Sequence, residues 1–180
     1  MLKKIAVIAA VTIAAAIAIL LLVAATQPKT FRIERSMTIH ASPETIAPLI
    51  ADFHNWPKWS PYENLDPHMR RTLSGEPRGK GAFYAWRGNS QAGAGQMEIV
   101  DETPSRIAIK LDFDEPMEGH NMAEFTLVPV GNTTTVTWAM YGPCPYLGRI
   151  FKTLVNVDAM VGKDFEAGLA NLRKVAEKQG

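Results

Sequence analysis

The chain has one cysteine in 180 residues, Cys144, so it holds no internal disulfide. A lone cysteine with four dispersed histidines, His40, His54, His68 and His120, lacks the ligand spacing of a zinc site, and no metal is predicted. Those histidines read as surface or rim residues. Basic stripes are missing too. Only Lys3 and Lys4 precede residue 27, so the remainder has 17 basic and 18 acidic residues, a net −1 (17 − 18). That balance argues against a nucleic-acid partner. No nucleophile elbow, P-loop or HExxH motif occurs, and Gly93-Ala94-Gly95 lacks the strand–loop–helix setting of a phosphate cradle. No catalytic residue and no cofactor is therefore assigned, although scattered polar groups in a cavity can catalyse without a motif.

Charge, glycine and proline are all absent from Ile5 to Ala25. A helix of that length is about 31 Å long, the thickness of a bilayer's hydrocarbon core. Lys3, Lys4 and the amino terminus favour a cytoplasmic start. Lys29, Arg32 and Arg35 on the far side make the asymmetry small. The expectation is a single-pass membrane protein that contacts the bilayer through residues 5–25, with its payload on the extracytoplasmic, periplasmic side. A cleaved signal ending at Val23-Ala24-Ala25 is the alternative, but the run exceeds the ~7–15 residues of a signal's apolar region. The chain divides into a basic flank (1–4), an anchor (5–26), a linker (27–30) and a domain (31–180).

All 15 aromatic residues lie in the domain, too many for a disordered segment. Phe31, Ile33, Met37 and Ile39 alternate with polar residues as in a half-buried strand. Ser42-Pro43-Glu44 predicts a helix start, with Ser42 accepting from the first free amides. Pro48 keeps that helix short or bent. Trp56 and Trp59, set among prolines, predict a short turn packing large rings. Strands are expected over 68–74, 81–87, 96–101, 106–114, 121–128 and 133–141, separated by tight turns as in an antiparallel meander. Asp112, Asp114, Glu115 and Glu118 read as a solvated acidic turn. Leu147, Phe151, Leu154, Val157, Val161, Phe165, Leu169, Leu172 and Ala176 recur at helical spacing, which predicts one long amphipathic helix from Tyr146 to about Lys178. Cys144, between two prolines, is expected to pack in a turn.

The order of strand, short helices, six strands and long C-terminal helix predicts an α+β fold. Its curved antiparallel sheet of about seven strands would enclose an apolar space against the last helix. Several segments carry a resemblance over about Phe31 to Glu177. They are Ile39-His40-Ala41-Ser42-Pro43-Glu44, Asp52-Phe53 with Trp56 and Trp59-Ser60-Pro61, Gly95 before Ile99, and Glu102 to Ile107. Leu127-Val128-Pro129, Thr133 to Trp138, and Asp164 to Leu169 with Leu172 complete the set. In this order the domain resembles the SRPBCC superfamily, also called START-like, polyketide cyclase/dehydrase-like or helix-grip proteins.

That resemblance implies a cavity for a hydrophobic ligand but no particular reaction. The ligand-site candidates are Trp56, Trp59, Phe83, Trp86, Met97, Phe125, Trp138, Met140 and Met160, large or adaptable apolar side chains on the predicted sheet, turn and helix. Packing of the core explains the same residues equally simply. The leading expectation is an anchored binding protein for a small hydrophobic molecule, such as a lipid or isoprenoid. A cyclase/dehydrase-type enzyme is the alternative and would need a polar group such as Tyr84, Glu124 or His120 inside the cavity. A third reading is an envelope interaction module with a vestigial cavity. Because all predicted core elements lie beyond the linker, a cut between Ala25 and Phe31 is expected to leave a folded, soluble domain.

Overall fold

The computed structural model of the chain describes residues 2–178. Met1 of the basic flank, and Gln179 and Gly180 at the end of the expected domain, lie outside the described residues. In order, the elements are helix α1 (Leu2–Thr26), strand β1 (Thr30–Ile39), helix α2 (Pro43–Ala51) and two 3-10 turns (Phe53–Lys58 and Pro61–Asn64). Strands β2 (Arg70–Gly75), β3 (Ala82–Arg87), β4 (Ala94–Thr103), β5 (Arg106–Glu115), β6 (Gly119–Val130) and β7 (Thr133–Pro143) follow, then helices α3 (Tyr146–Leu154) and α4 (Val157–Ala176). The chain forms two compact units. One holds the residues up to Phe31 with Pro143–Val157, and the other holds Arg32–Gly142 with the residues from Asp158 onward.

The larger unit is built on a seven-stranded sheet of order β1-β7-β6-β5-β4-β3-β2, antiparallel along its hairpins. From β2 to β7 consecutive strands are neighbours because the connections between them are short, and β1 lies beside β7. At the β6–β7 turn Gly131 adopts φ +61°, and Gly75 closes the β2–β3 hairpin at φ +73°. A Cβ on Gly75 would stand 2.2 Å from the carbonyl oxygen of Gly81. Two register shifts between β4 and β5, at Ala94/Gly95 and Ile99/Asp101, bend the sheet there. Its inner face carries Ile99, Ile107, Ile109, Phe125, Leu127, Val136 and Trp138, all buried, and α4 covers that face with Phe165, Leu169 and Leu172.

Helix α2 starts at Pro43, but Ser42 makes no side-chain cap; its backbone carbonyl accepts from Thr45 and Ile46 instead. The other end shows what the tryptophan turn is for. A helix leaves its last four carbonyls without internal partners. Here Pro48 O accepts from Asn55 Nδ2, Leu49 O from Trp59 Nε1, Ile50 O from Trp56 Nε1, and Ala51 O from Gly79 N, at 2.8–3.0 Å. The 3-10 turn is in turn started by Asp52, whose carboxylate accepts from His54 N at 2.9 Å.

The smaller unit contains α1, the one helix among the described residues long and apolar enough to cross a membrane. It pairs with α3. The long C-terminal helix expected from the apolar spacing is two helices, because Val155 takes an extended conformation (φ −126°, ψ 134°) between them. β-Branched Val155 and Val157 flank Asn156, a poor sequence for a helix interior. The consequence is that the stripe divides. Phe165, Leu169, Leu172 and Ala176 are buried, whereas Leu147, Phe151 and Leu154 are exposed. Cys144 is buried, with its amide donating to Lys29 O at 2.7 Å, in keeping with turn packing.

Candidate hydrophobic-ligand site

The inner face of the sheet grades from closed to open. At its closed part Trp56 and Trp59 lie 4.9 Å apart, centroid to centroid, and both meet Phe125 edge-on. Phe125 stacks on Trp138 at 5.0 Å, and Trp138 stacks on Phe165 of α4 at 4.2 Å with planes 9° apart. Gly168 makes that approach possible, since a Cβ there would sit 2.7 Å from the Trp138 ring. At these positions the space between sheet and helix is therefore filled by rings. Trp56 and Trp59 also commit their indole N–H groups to α2, so both act as scaffold.

Moving across β5, β4 and β3, the same face opens. Trp86 lies over Gly95, whose missing side chain leaves room for the ring, and it meets Phe113 edge-on at 5.8 Å. Registers Trp86↔Gly95↔Phe113 and Tyr84↔Met97↔Leu111 put these residues on one face, and Ala123↔Met140 adds Met140. Trp86, Leu111, Phe113 and Met140 are half-buried, and Met97 is buried. Two of the predicted site residues do not join them. Phe83 pairs across from exposed Glu98 on the outer face, because side chains alternate along β3. Met160 is 52% exposed on α4. Phe83 instead borders a cleft of about 140 Å³ beside the β2–β3 hairpin, lined also by Phe53, His54, Leu73, Pro77 and Ala82.

The polar groups sort themselves by face. His120 and Asp112 are cross-strand partners on the outer face, with Nδ1···Oδ1 at 2.9 Å, and Lys110 Nζ reaches the other Asp112 oxygen at 2.8 Å. Asp112 is therefore buried and paired, not part of a solvated acidic turn as its sequence neighbourhood suggests. Lys110 foremost, with His120, holds its carboxyl below the usual carboxylate range. The His120 imidazolium is favoured in return, chiefly by its hydrogen bond to Asp112, which raises its pKa. Glu124 is likewise on the outer face, bound to Arg106 Nε at 2.7 Å. Of the three polar groups proposed for the inner face, only Tyr84 stands there.

Tyr84 donates its hydroxyl to Glu63 Oε1 at 2.8 Å, while Arg71 Nε binds Glu63 Oε2 at 2.7 Å and Arg71 Nη2 binds the Glu63 carbonyl. Burial first, and then the Glu63 carboxylate, push the Tyr84 phenol far above its ordinary range, so it stays a neutral donor. Tyr62, 6.1 Å from Trp138, is also shifted up by burial and then by the charge of Asp164. Asp164 itself is raised by burial. Trp138 Nε1 and Ser60 Oγ are buried with no hydrogen-bond partner among the described residues. Glu63, Arg71, Tyr62, Asp164 and Leu111 were not predicted. Phe165 stands in the apolar stripe and in the segment Asp164 to Leu169 that carries the resemblance, but nothing local marks Glu63, whose partners are eight and 21 residues away.

The matched family is described as polyketide cyclase / dehydrase and lipid transport, and it spans residues 30–177. No curated protein is significantly similar to the chain. Solved structures share the fold at low identity. One is a solution structure of a protein from Thermobifida fusca, 21% identical, covering 82% of this chain and 93% of that one with a TM-score of 0.60. A crystal structure from Rhodobacter sphaeroides is 18% identical over 86% and 97% of the two chains, TM-score 0.59. Another, from Chromobacterium violaceum, is 16% identical over 84% and 99%, TM-score 0.56. At such identities the likeness concerns the fold alone. The family match over most of the sequence, with the helix-grip architecture beneath it, makes this chain a member of the polyketide cyclase / dehydrase and lipid transport family.

Proposed function

We propose that the protein is a membrane-anchored binding protein that takes a small hydrophobic molecule or lipid against the inner face of its sheet. The observation that carries this reading is the group Trp86, Leu111, Phe113 and Met140. These apolar side chains share one face and remain half-buried beside a fully packed ring cluster. Burying such surface is worth about 25 cal/mol per Å² before ordering costs, so an apolar molecule is the ligand this face favours. Adaptable Met97 and Met140 suit a ligand of variable shape. The family's lipid-transport members support the same class of ligand.

Binding is favoured over chemistry because the buried polar group on this face is already committed. Tyr84 and Arg71 occupy both oxygens of Glu63. Trp138 Nε1 is sealed within the closed ring cluster and offers neither an acid nor a base to a ligand on this face. Residues 5–25 hold the protein in the bilayer, and the Lys3-Lys4 flank favours a payload outside the cytoplasm.

Reconstituting the full chain in vesicles that contain a phospholipid with a photoactivatable acyl chain tests this reading. Cross-linked peptides are then mapped by mass spectrometry. Adducts on the peptides holding Trp86 or Met140 are expected, and they should fade in a Trp86→Asp variant. Adducts confined to residues 2–26 and α3 would refute lipid capture by the domain.

A further inference from the structure

Helix α3 has its faces reversed for a helix in water. Leu147, Phe151 and Leu154 fall on one side at spacings of four and three residues, and they are 65%, 48% and 66% exposed. Tyr146 beside them is 40% exposed. The opposite side, with Gly148, Arg149, Lys152 and Thr153, is half-buried, and no residue of the helix is fully buried. A helix of a soluble protein turns its apolar side inward. Here the apolar side faces out, so some apolar medium must cover it.

The neighbouring helix says which medium. Tyr146 donates its hydroxyl to Leu21 O at 2.8 Å, inside the uncharged run of α1. Leu21 is five residues before the end of α1, about 7–8 Å along the helix axis. Arg149 Nη1 reaches Ala25 O at 3.3 Å and Gln27 O at 3.5 Å, and its guanidinium lies 5.1 Å from the Tyr146 ring centroid. A cation thus caps the free carbonyls and negative dipole end of α1. These contacts fix α3 beside the terminal turns of a helix that is exposed from Lys3 to Thr26 except at Leu20 and Ala24. Wherever the end of α1 meets the edge of a bilayer, α3 is there too. A tyrosine at that level and two basic residues, with no acidic residue from Tyr146 to Leu154, suit the headgroup region of an anionic membrane.

We propose that α3 is an interfacial helix lying in the lipid headgroup layer beside the end of α1, with Leu147, Phe151 and Leu154 at the acyl boundary. This rests on α1 spanning a bilayer, and it makes the membrane contact two helices rather than one. Arg149 then has two roles, ending α1 and orienting α3, and the lipid surface becomes a structural partner of the segment between β7 and α4.

The test uses the full chain with Cys144→Ser, reconstituted in phosphatidylcholine/phosphatidylglycerol vesicles. Single cysteines replace Ile13, Phe151, Leu154 or Lys152 and carry an environment-sensitive fluorophore. Labels at 151 and 154 should emit blue-shifted, be quenched by nitroxide-bearing lipid, and be several-fold less accessible to aqueous iodide than the label at 152. The label at 13 reports the anchor by itself. Lipid contact at 13 with aqueous labels at 151 and 154 overturns the interfacial helix and leaves the anchor standing. An aqueous label at 13 overturns the anchor reading underneath it. Labels at 151 and 154 shielded from both quenchers would mean that protein covers this face, and that outcome also refutes the proposal. The replaced α3 side chains are all outside the core, and Leu147→Cys substitutes for any labelled variant whose helix signal or thermal transition departs from the parent.

Discussion

Gly168 and Gly162 lie on the same helix and face different neighbours. A Cβ at 168 would meet the Trp138 ring at 2.7 Å and Pro61 Cδ at 3.1 Å. Trp138 cannot yield, because Phe125 and Phe165 stack on its two sides. A Cβ at 162 would first meet the guanidinium of Arg35, the end of a flexible side chain bound to exposed Asp158 and Glu166. Alanine gains up to about 1 kcal/mol of helix propensity at either site. Overpacking at 168 costs about 1–3 kcal/mol and outweighs that gain, while displacing exposed ion pairs at 162 costs about 0–1 kcal/mol. Thermal melts should show Gly168→Ala falling by several degrees and Gly162→Ala near the parent; equal effects would contradict this account of the ring stack. At the same scale, His120 has a pH signature. Its folded-state pKa is raised above 6.5 by Asp112, so its stabilising contribution is fully present below 6.5 and is lost as pH rises through the raised value. Asp112, with its pKa lowered, supplies the carboxylate down to acid pH. The stability difference between the parent and His120→Gln should therefore be largest near pH 5–6 and shrink above neutrality. A His120 titration midpoint at or below 6.5 by NMR would contradict the pairing.

Between elements, the contact that ties the second 3-10 turn to β2 and β3 is the Glu63–Arg71–Tyr84 group. The Glu63 side chain is 4% exposed and that of Arg71 32%, so the pair is a buried anion with a partly solvated cation. Removing the cation alone leaves a buried carboxylate with only Tyr84 as donor, a loss of about 3–5 kcal/mol for fully buried pairs and less here because water reaches Arg71. Arg71→Ala should destabilise by about 1–3 kcal/mol in denaturant unfolding. The double variant Glu63→Gln with Arg71→Met should recover part of that loss, because no unpaired charge remains. A double variant less stable than Arg71→Ala would show that the ion pair itself, and not the avoidance of an orphaned charge, is what matters. Helix α2 makes the same point with neutral groups. Its four terminal carbonyls are all met by side-chain or distant backbone donors, which fixes Asn55, Trp56 and Trp59 as structural residues before any ligand is considered.

For the whole molecule, the two units predict a graded response to removing α1. The core of the larger unit lies within residues 32–142 and in α4, so a fragment from Gln27 onward should keep its sheet. Tyr146 and Arg149 lose their acceptors on α1 in that fragment, and Leu147, Phe151 and Leu154 stay exposed. Hydrogen exchange should then be fast over 143–155 and slow in β4 to β7, and the fragment should still sediment with anionic vesicles. Fast exchange throughout the sheet would mean that α1 is part of the domain's fold.

Elements whose signal is local can be read from the amino-acid order. Alternation from Arg106 to Asp114 marks β5, Pro43 marks the start of α2, and the uncharged run from Ile5 to Ala25 marks α1. Ordered over the whole domain, those elements sufficed for the helix-grip fold and its family. Tertiary structure alone decided which way each apolar side chain faces. Trp59, Phe125 and Trp138 close on one another, whereas Trp86, Phe113 and Met140 stay half-open, although composition does not separate them. Phe83 falls on the outer face because β3 alternates, and Glu63 is buried because its partners come from distant strands. The apolar stripe beginning at Leu147 was legible, but its break at Val155 and the outward turn of its first half were not. Helical spacing records that residues share a side; it carries no information about whether protein, water or lipid lies on that side.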